Sequence, residues 1–152
     1  MSDRNNQAAH QNLSRILATP PAEPQAAHSH FRSKLSFETD PSDVYNDLNN
    51  RIPGIVVIDA RTPEAYARGH VPGAINLPHR TIDSTTTASF SRDSVFVTYC
   101  YGVFCNASTK AAAKLTALGF KAKEMLDGLD GWSKEQYPVE ETVMKITVPV
   151  AQ

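Results

Sequence analysis

The stretch Val95-Phe96-Val97-Thr98-Tyr99-Cys100-Tyr101-Gly102-Val103-Phe104-Cys105-Asn106-Ala107-Ser108-Thr109-Lys110 constrains the fold more than any other part of the chain. Its β-branched and aromatic run from Val95 to Tyr99 predicts a buried strand. Ala107, Ala111, Leu115 and Leu118 then recur at a helical period, with Lys110 and Lys114 turned to another face. Asn106 suits the N-cap of that helix, and Gly119 the left-handed residue that ends it. Between strand and helix lies a short loop with a cysteine at each end. A loop in that position is expected to turn backbone N–H groups inward and form an anion cradle. Cys100 would stand at its mouth, where such dipoles favour thiolate over thiol and stabilise an oxyanion or a persulfide. The competing reading is a buried, inert cysteine at a strand end.

The flanking sequence repeats the strand-to-helix alternation. Asp40 caps a helix that has Pro41 at its first position and Val44, Tyr45 and Leu48 on its buried face. Ile55-Val56-Val57-Ile58 is an unbroken apolar run, suited to a parallel strand covered on both sides, and it ends in Asp59-Ala60-Arg61. Charged groups at the carboxyl end of a strand lie on the edge where α/β sheets bind ligands. Thr62-Pro63 starts another short helix, and Ala74-Ile75-Asn76-Leu77 is a further strand, followed directly by His79 and Arg80. Residues 81–93 read as a Ser- and Thr-rich loop. Ala122–Leu126 reads as a strand, and a last helix begins near Asp127-Gly128 and stops near Tyr137-Pro138. These elements predict an α/β domain with a parallel sheet covered on both faces.

The ends differ in character. Residues 1–33 are polar and contain Pro20, Pro21 and Pro24, so they are expected to form a flexible segment that a protein partner could order on binding. Leu13, Ile16 and Leu17 are compatible with one short amphipathic turn. His28-Ser29-His30 has no further ligand nearby to complete a metal set, so no metal is expected. The folded domain is expected at residues 34–139, opening on a strand at Lys34-Leu35-Ser36-Phe37. Residues 140–152 form a tail, extended against the domain or loose. With 152 residues and a net charge of −1, the chain offers neither a basic stripe for nucleic acid nor an apolar run for a membrane. Its two cysteines do not make a secreted disulfide framework, and a cytoplasmic address is expected.

Three blocks resemble the single-domain rhodanese-like sulfurtransferase family. Val56-Val57-Ile58-Asp59-Ala60-Arg61-Thr62-Pro63-Glu64 is similar to its Asp-x-Arg strand. Gly69-His70-Val71-Pro72-Gly73-Ala74-Ile75-Asn76-Leu77-Pro78 is similar to its first signature. The third block is Tyr99-Cys100 with its loop, then Gly128-Leu129-Asp130-Gly131-Trp132. The resemblance implies a rhodanese-like fold with a five-stranded, mostly parallel sheet and helices on both faces. It places Cys100 at the nucleophile, with Tyr101, Gly102, Val103, Phe104, Cys105 and Asn106 as the substrate-binding loop. The activity implied is transfer of sulfane sulfur through a Cys100 persulfide, from a small donor such as thiosulfate, a persulfide or a polysulfide to a thiol or cyanide, without a cofactor.

Asp59 and Arg61 are candidates for a supporting role, with a structural ion pair the favoured reading for Arg61. His70 is expected to order its turn through hydrogen bonds, and Trp132 and Tyr137 to serve as core or lid aromatics. Cys105 stands where many members carry a basic residue, and Tyr101 to Cys105 contains no cation, which favours a bulkier or less charged donor than thiosulfate. Cys105 could instead pair with Cys100, resolving a persulfide or protecting the thiolate, or tuck beneath the loop as a small apolar group. The alternatives to sulfur transfer are a dithiol redox or oxyanion reductase using both cysteines, and a non-catalytic interaction module.

Overall fold

The computed structural model describes residues 13–142, and the chain divides into two units, Met1–Leu35 and Ser36–Gln152. Helix α1 (Pro24–Phe37) is the main element of the first and contributes no buried residue. It corrects two expectations: residues 24–33 are helical, and Lys34-Leu35-Ser36-Phe37 ends the helix rather than forming a strand. The polar–apolar alternation of those four residues suits either state. Pro24 at the first position and the helix formers Gln25, Ala26 and Ala27 behind it favour propagation through them. Ile16 and Leu17 lie in an exposed turn.

The second unit is built on five short strands. β1 (Glu38–Thr39), β2 (Ile55–Asp59), β3 (Ile75–Asn76), β4 (Val95–Tyr99) and β5 (Lys121–Met125) form one sheet in the order β1-β5-β4-β2-β3. All four pairings are parallel. β4 is central, pairing along its whole length with β2 and placing Thr98 opposite Glu124 of β5. The connecting helices are α2 (Pro41–Asn49), α3 (Pro63–Arg68), α4 (Ala107–Ala117) and α5 (Gly128–Lys134), with a short 3-10 turn at His79–Thr81.

Alternation along the central strands divides the core between the two faces of the sheet. Val57, Val97 and Tyr99 pack with Val44 of α2 and Trp132 of α5, with Tyr45 and Leu48 against them. Ile58 and Phe96 pack on the opposite side with Ala111 and Leu115 of α4 and with Phe120. The caps read from sequence are formed: Asp40 accepts from the Asp43 N–H at 2.8 Å and Thr62 from the Ala65 N–H at 3.3 Å. Gly119, at φ +87°, ends α4, with the Gly119 N–H on Thr116 O at 2.9 Å and the Phe120 N–H on Leu115 O at 3.0 Å. Phe120 is thereby folded back onto Leu115 in the same core cluster.

Three boundaries differ from expectation. β3 is reduced to Ile75–Asn76, β5 is shifted one residue earlier, and α5 stops at Lys134. The start of the tail pairs in antiparallel fashion, with His70 and Glu140 exchanging backbone hydrogen bonds at 2.9 Å. Residues 143–152 lie outside the described part.

Candidate active site

Cys100 directly follows β4 and is buried at the carboxyl edge of the sheet. It lines a pocket of about 190 Å³ together with Gly102, Val103, Cys105 and Asn106 of the loop. Ser108 and Thr109, in the first turn of α4, form the wall opposite the sheet. The free N–H groups of a helix's first turn give that wall positive polarity.

The loop is closed by a disulfide between Cys100 and Cys105, whose Cα atoms are 6.3 Å apart. This decides against the reading of Cys105 as an apolar group under the loop. The Cys105 N–H is bonded to Gly102 O at 3.0 Å, so it is committed to a tight turn and does not serve the cradle expected of the whole loop. Asn106 occupies the N-cap position, but its side chain makes no capping bond. Tyr101 and Val103 are exposed. Phe104, fully exposed, points away from the pocket that the loop helps to form.

From below, α5 locks the loop. The Leu129 N–H donates to Cys100 O at 2.9 Å and the Asp130 N–H to Tyr101 O at 2.7 Å. Gly128 permits this approach: at φ +49°, a Cβ there would lie 2.2 Å from Cys100 O. The first N–H groups of α5 are therefore used to fix the backbone of Cys100 and Tyr101.

Asp59 and Arg61 do not line the pocket. The Arg61 guanidinium grips Asp59, with Nε 3.0 Å from Oδ1 and Nη2 2.7 Å from Oδ2, and Nη2 also donates to Gly69 O at 2.6 Å. Tyr99 donates its hydroxyl to Asp59 Oδ2 at 2.5 Å and accepts from the Val71 N–H at 3.0 Å. Burial opposes the charge on Arg61, but hydrogen bonding and attraction from Asp59 outweigh it and raise the pKa. Burial, then the adjacent Asp59 charge, pushes the Tyr99 hydroxyl far above its ordinary range. The outer face of Arg61 lies 4.9 Å from the centre of the Tyr101 ring. The network thus ties the ends of β2 and β4 to the 69–71 turn and anchors one end of the loop. His70 belongs to the same turn, with Nδ1 2.8 Å from Tyr66 O and its ring stacked on Tyr66.

Glu124 was not singled out by the sequence. It lines the pocket, and its Oε1 accepts from the Ser108 and Thr109 hydroxyls, each at 2.9 Å. Asp127 also lines the pocket. Lys121, Lys123 and Glu124 together read as an ordinary solvated strand, so the clue was position alone: Glu124 nears the carboxyl end of a parallel strand, as Asp59 does. The pocket therefore carries the Glu124 carboxyl group and has no Lys or Arg among its lining residues. Trp132 is a core residue, donating from Nε1 to Pro138 O at 2.8 Å. Tyr137 stacks on Tyr45. Among the described residues, no helix is long and apolar enough to cross a membrane.

Comparison with known proteins agrees with this architecture. The sequence profile of the Rhodanese-like domain matches residues 40–135. A thiosulfate sulfurtransferase, GlpE, of Pseudomonas entomophila is 37% identical over 94 residues, covering 59% of this chain and 80% of that protein. An HTH-type transcriptional regulator of Mycobacterium tuberculosis, Rv0324, is 32% identical over 87 residues, which span 57% of this chain but only 38% of the regulator. The crystal structure of the BH2092 protein from Bacillus halodurans superimposes with a TM-score of 0.77 at 44% identity, covering 79% of this chain and 88% of that one. With a five-stranded parallel sheet, Cys100 at the end of its central strand and a matching profile over 40–135, the chain belongs to the rhodanese-like domain family.

Proposed function

We propose that this domain is a sulfurtransferase that carries sulfane sulfur as a persulfide on Cys100. The observation that carries the reading is the placement of Cys100: buried at the carboxyl end of the central strand, backbone fixed by α5, and facing a pocket walled by the first turn of α4. A helix N-terminus favours negative charge on the sulfur, both as attacking thiolate and as persulfide. The relatives named thiosulfate sulfurtransferase support the same chemistry.

In the reduced protein, the Cys100 thiolate attacks the outer sulfur of the donor. With thiosulfate, the S–S bond of the donor breaks, sulfite leaves with the bonding pair, and Cys100 retains the sulfur as a persulfide. A thiophile such as cyanide or a thiol then takes the outer sulfur. No general base is needed once the thiol is ionised. The carboxyl group of Glu124 favours a donor of low negative charge, such as an organic persulfide, over thiosulfate.

The test is sulfur release from a sulfane donor by the reduced protein, read as thiocyanate with excess cyanide and as sulfide with excess dithiol. Cys100→Ser should reduce the rate to background, and a variant that keeps its rate would overturn the reading. The Cys100–Cys105 disulfide favours dithiol redox chemistry as a second reading. That reading predicts that the reduced chain loses two hydrogens to an oxidant that carries no sulfane sulfur.

A further inference from the structure

Cys105 carries a sulfur that transfer through Cys100 does not require. Its bond to Cys100 joins two groups of unequal exposure, since Cys100 is buried and Cys105 is half-buried. Resting on the sulfurtransferase reading, we propose that Cys105 resolves the Cys100 persulfide, so that the domain reduces sulfane sulfur to hydrogen sulfide and is restored by an external dithiol.

The bonds balance in three steps. The Cys100 thiolate first takes the outer sulfur of the donor, releasing sulfite when the donor is thiosulfate. The Cys105 thiol then loses its proton and attacks the inner sulfur of the persulfide, which is Sγ of Cys100. The Sγ–outer sulfur bond breaks, and the outer sulfur leaves with the bonding pair as HS⁻. The two cysteine sulfurs are oxidised to the disulfide, and the sulfane sulfur is reduced by the same two electrons. Finally, an external dithiol attacks Sγ of Cys105, displaces the Cys100 thiolate, and closes on itself to free Cys105.

Three features favour this course. The bond formed in the second step is the one present in the structure, and its Cα separation of 6.3 Å lies within ordinary bridging range. Held that close by the tight turn at Gly102, Cys105 attacks as an intramolecular group. A free thiophile would have to match an effective concentration on the order of molar or higher. The pocket also carries no loop cation to retain a charged persulfide, while the Glu124 carboxyl group favours exit of HS⁻ once it has formed. In the regenerating step, attack is directed to the less buried of the two cysteines, and the leaving thiolate is that of Cys100, which lines the pocket walled by the first turn of α4.

A single-turnover experiment with the full chain separates this proposal from the reading beneath it. Reduced protein, freed of reductant, is mixed with thiosulfate and, separately, with inorganic polysulfide. In the thiosulfate arm, sulfite reports loading and sulfide reports resolution. Intact mass under non-reducing conditions is read in both arms. The wild-type chain should release one sulfite and one sulfide and end two hydrogens lighter. Cys105→Ser and Cys105→Ala should release sulfite without sulfide and gain the mass of one sulfur. If the wild-type chain keeps the added sulfur without forming sulfide, or if the variants release sulfide equally, resolution by Cys105 is overturned while sulfur transfer stands. If none of the chains gains or passes sulfur from either donor, the sulfurtransferase reading fails and this proposal with it.

Discussion

A dianionic donor approaching Cys100 enters a pocket that carries the Glu124 carboxyl group and, from Tyr101 to Cys105, no cation. Arg61 does not compensate, because Asp59 and Gly69 O hold its guanidinium away from the pocket. Glu124→Gln keeps an oxygen acceptor for Ser108 and Thr109 and removes the charge. It should raise kcat/KM for thiosulfate about 3- to 30-fold, the range expected for one charge acting on a dianion at short range in a wet pocket. An uncharged donor should be used equally well by both proteins, so equal gains for both donors would show that Glu124 acts otherwise than through its charge. Tyr99 offers a second test at this scale. Tyr99→Phe removes the hydroxyl that joins Asp59 to the Val71 N–H and should cost about 1–3 kcal/mol at neutral pH, measured by urea unfolding. Its pH dependence has a definite sign. The folded state holds the phenol proton well above the ordinary tyrosine range, so the unfolded chain ionises first. That contribution is complete below about pH 10 and declines as pH rises beyond it, by about 1.4 kcal/mol per pH unit. The variant should show a shallower alkaline loss than the wild-type protein.

Between β5 and α5 the chain takes two successive left-handed residues, Asp127 at φ 61° and Gly128 at φ 49°. Asp127 can adopt this backbone with its side chain in place, whereas Gly128 has Cys100 O where a Cβ would stand. Gly128→Ala should therefore force α5 off the loop and destabilise the fold by more than about 3 kcal/mol, well beyond a surface Gly→Ala change. Thermal unfolding measures it, and a variant of unchanged stability would contradict the contact. Elements were legible in the sequence where local and tertiary preferences agree. β4 was found at its full extent because Val95 to Tyr99 are all strand formers, and α2 and α3 because Asp40-Pro41 and Thr62-Pro63 carry cap and first-turn signals together. The 34–37 segment was misread because its alternation fits a strand while the residues before it propagate a helix. Within the site, the place of Cys100 between strand and loop could be read from the residues themselves, whereas Tyr101 and Phe104 of the expected loop lie outside the pocket lining. The wall opposite could not, since Glu124 reaches the pocket through its parallel register with Thr98, and Gly128 matters only through its distance to Cys100 O.

At the scale of the whole chain, the sheet and both core clusters are drawn entirely from residues of the Ser36–Gln152 unit. β1, the first strand in sequence, begins at Glu38, and α1 adds no buried residue. Stability that rests on apolar burial should therefore survive removal of residues 1–35. The shortened chain is expected to unfold in one cooperative transition, with a urea midpoint close to that of the full chain and an m-value lower only by what the lost segment contributes. Sulfur release from the donor should persist as well, because Cys100, its loop, Glu124 and the α5 contact all lie beyond the cut. A lower midpoint with retained cooperativity would mean that α1 stabilises the domain through polar contacts that burial does not register. Loss of sulfur transfer from a chain that still unfolds cooperatively would place part of the donor or acceptor recognition in the first unit, outside the rhodanese-like domain.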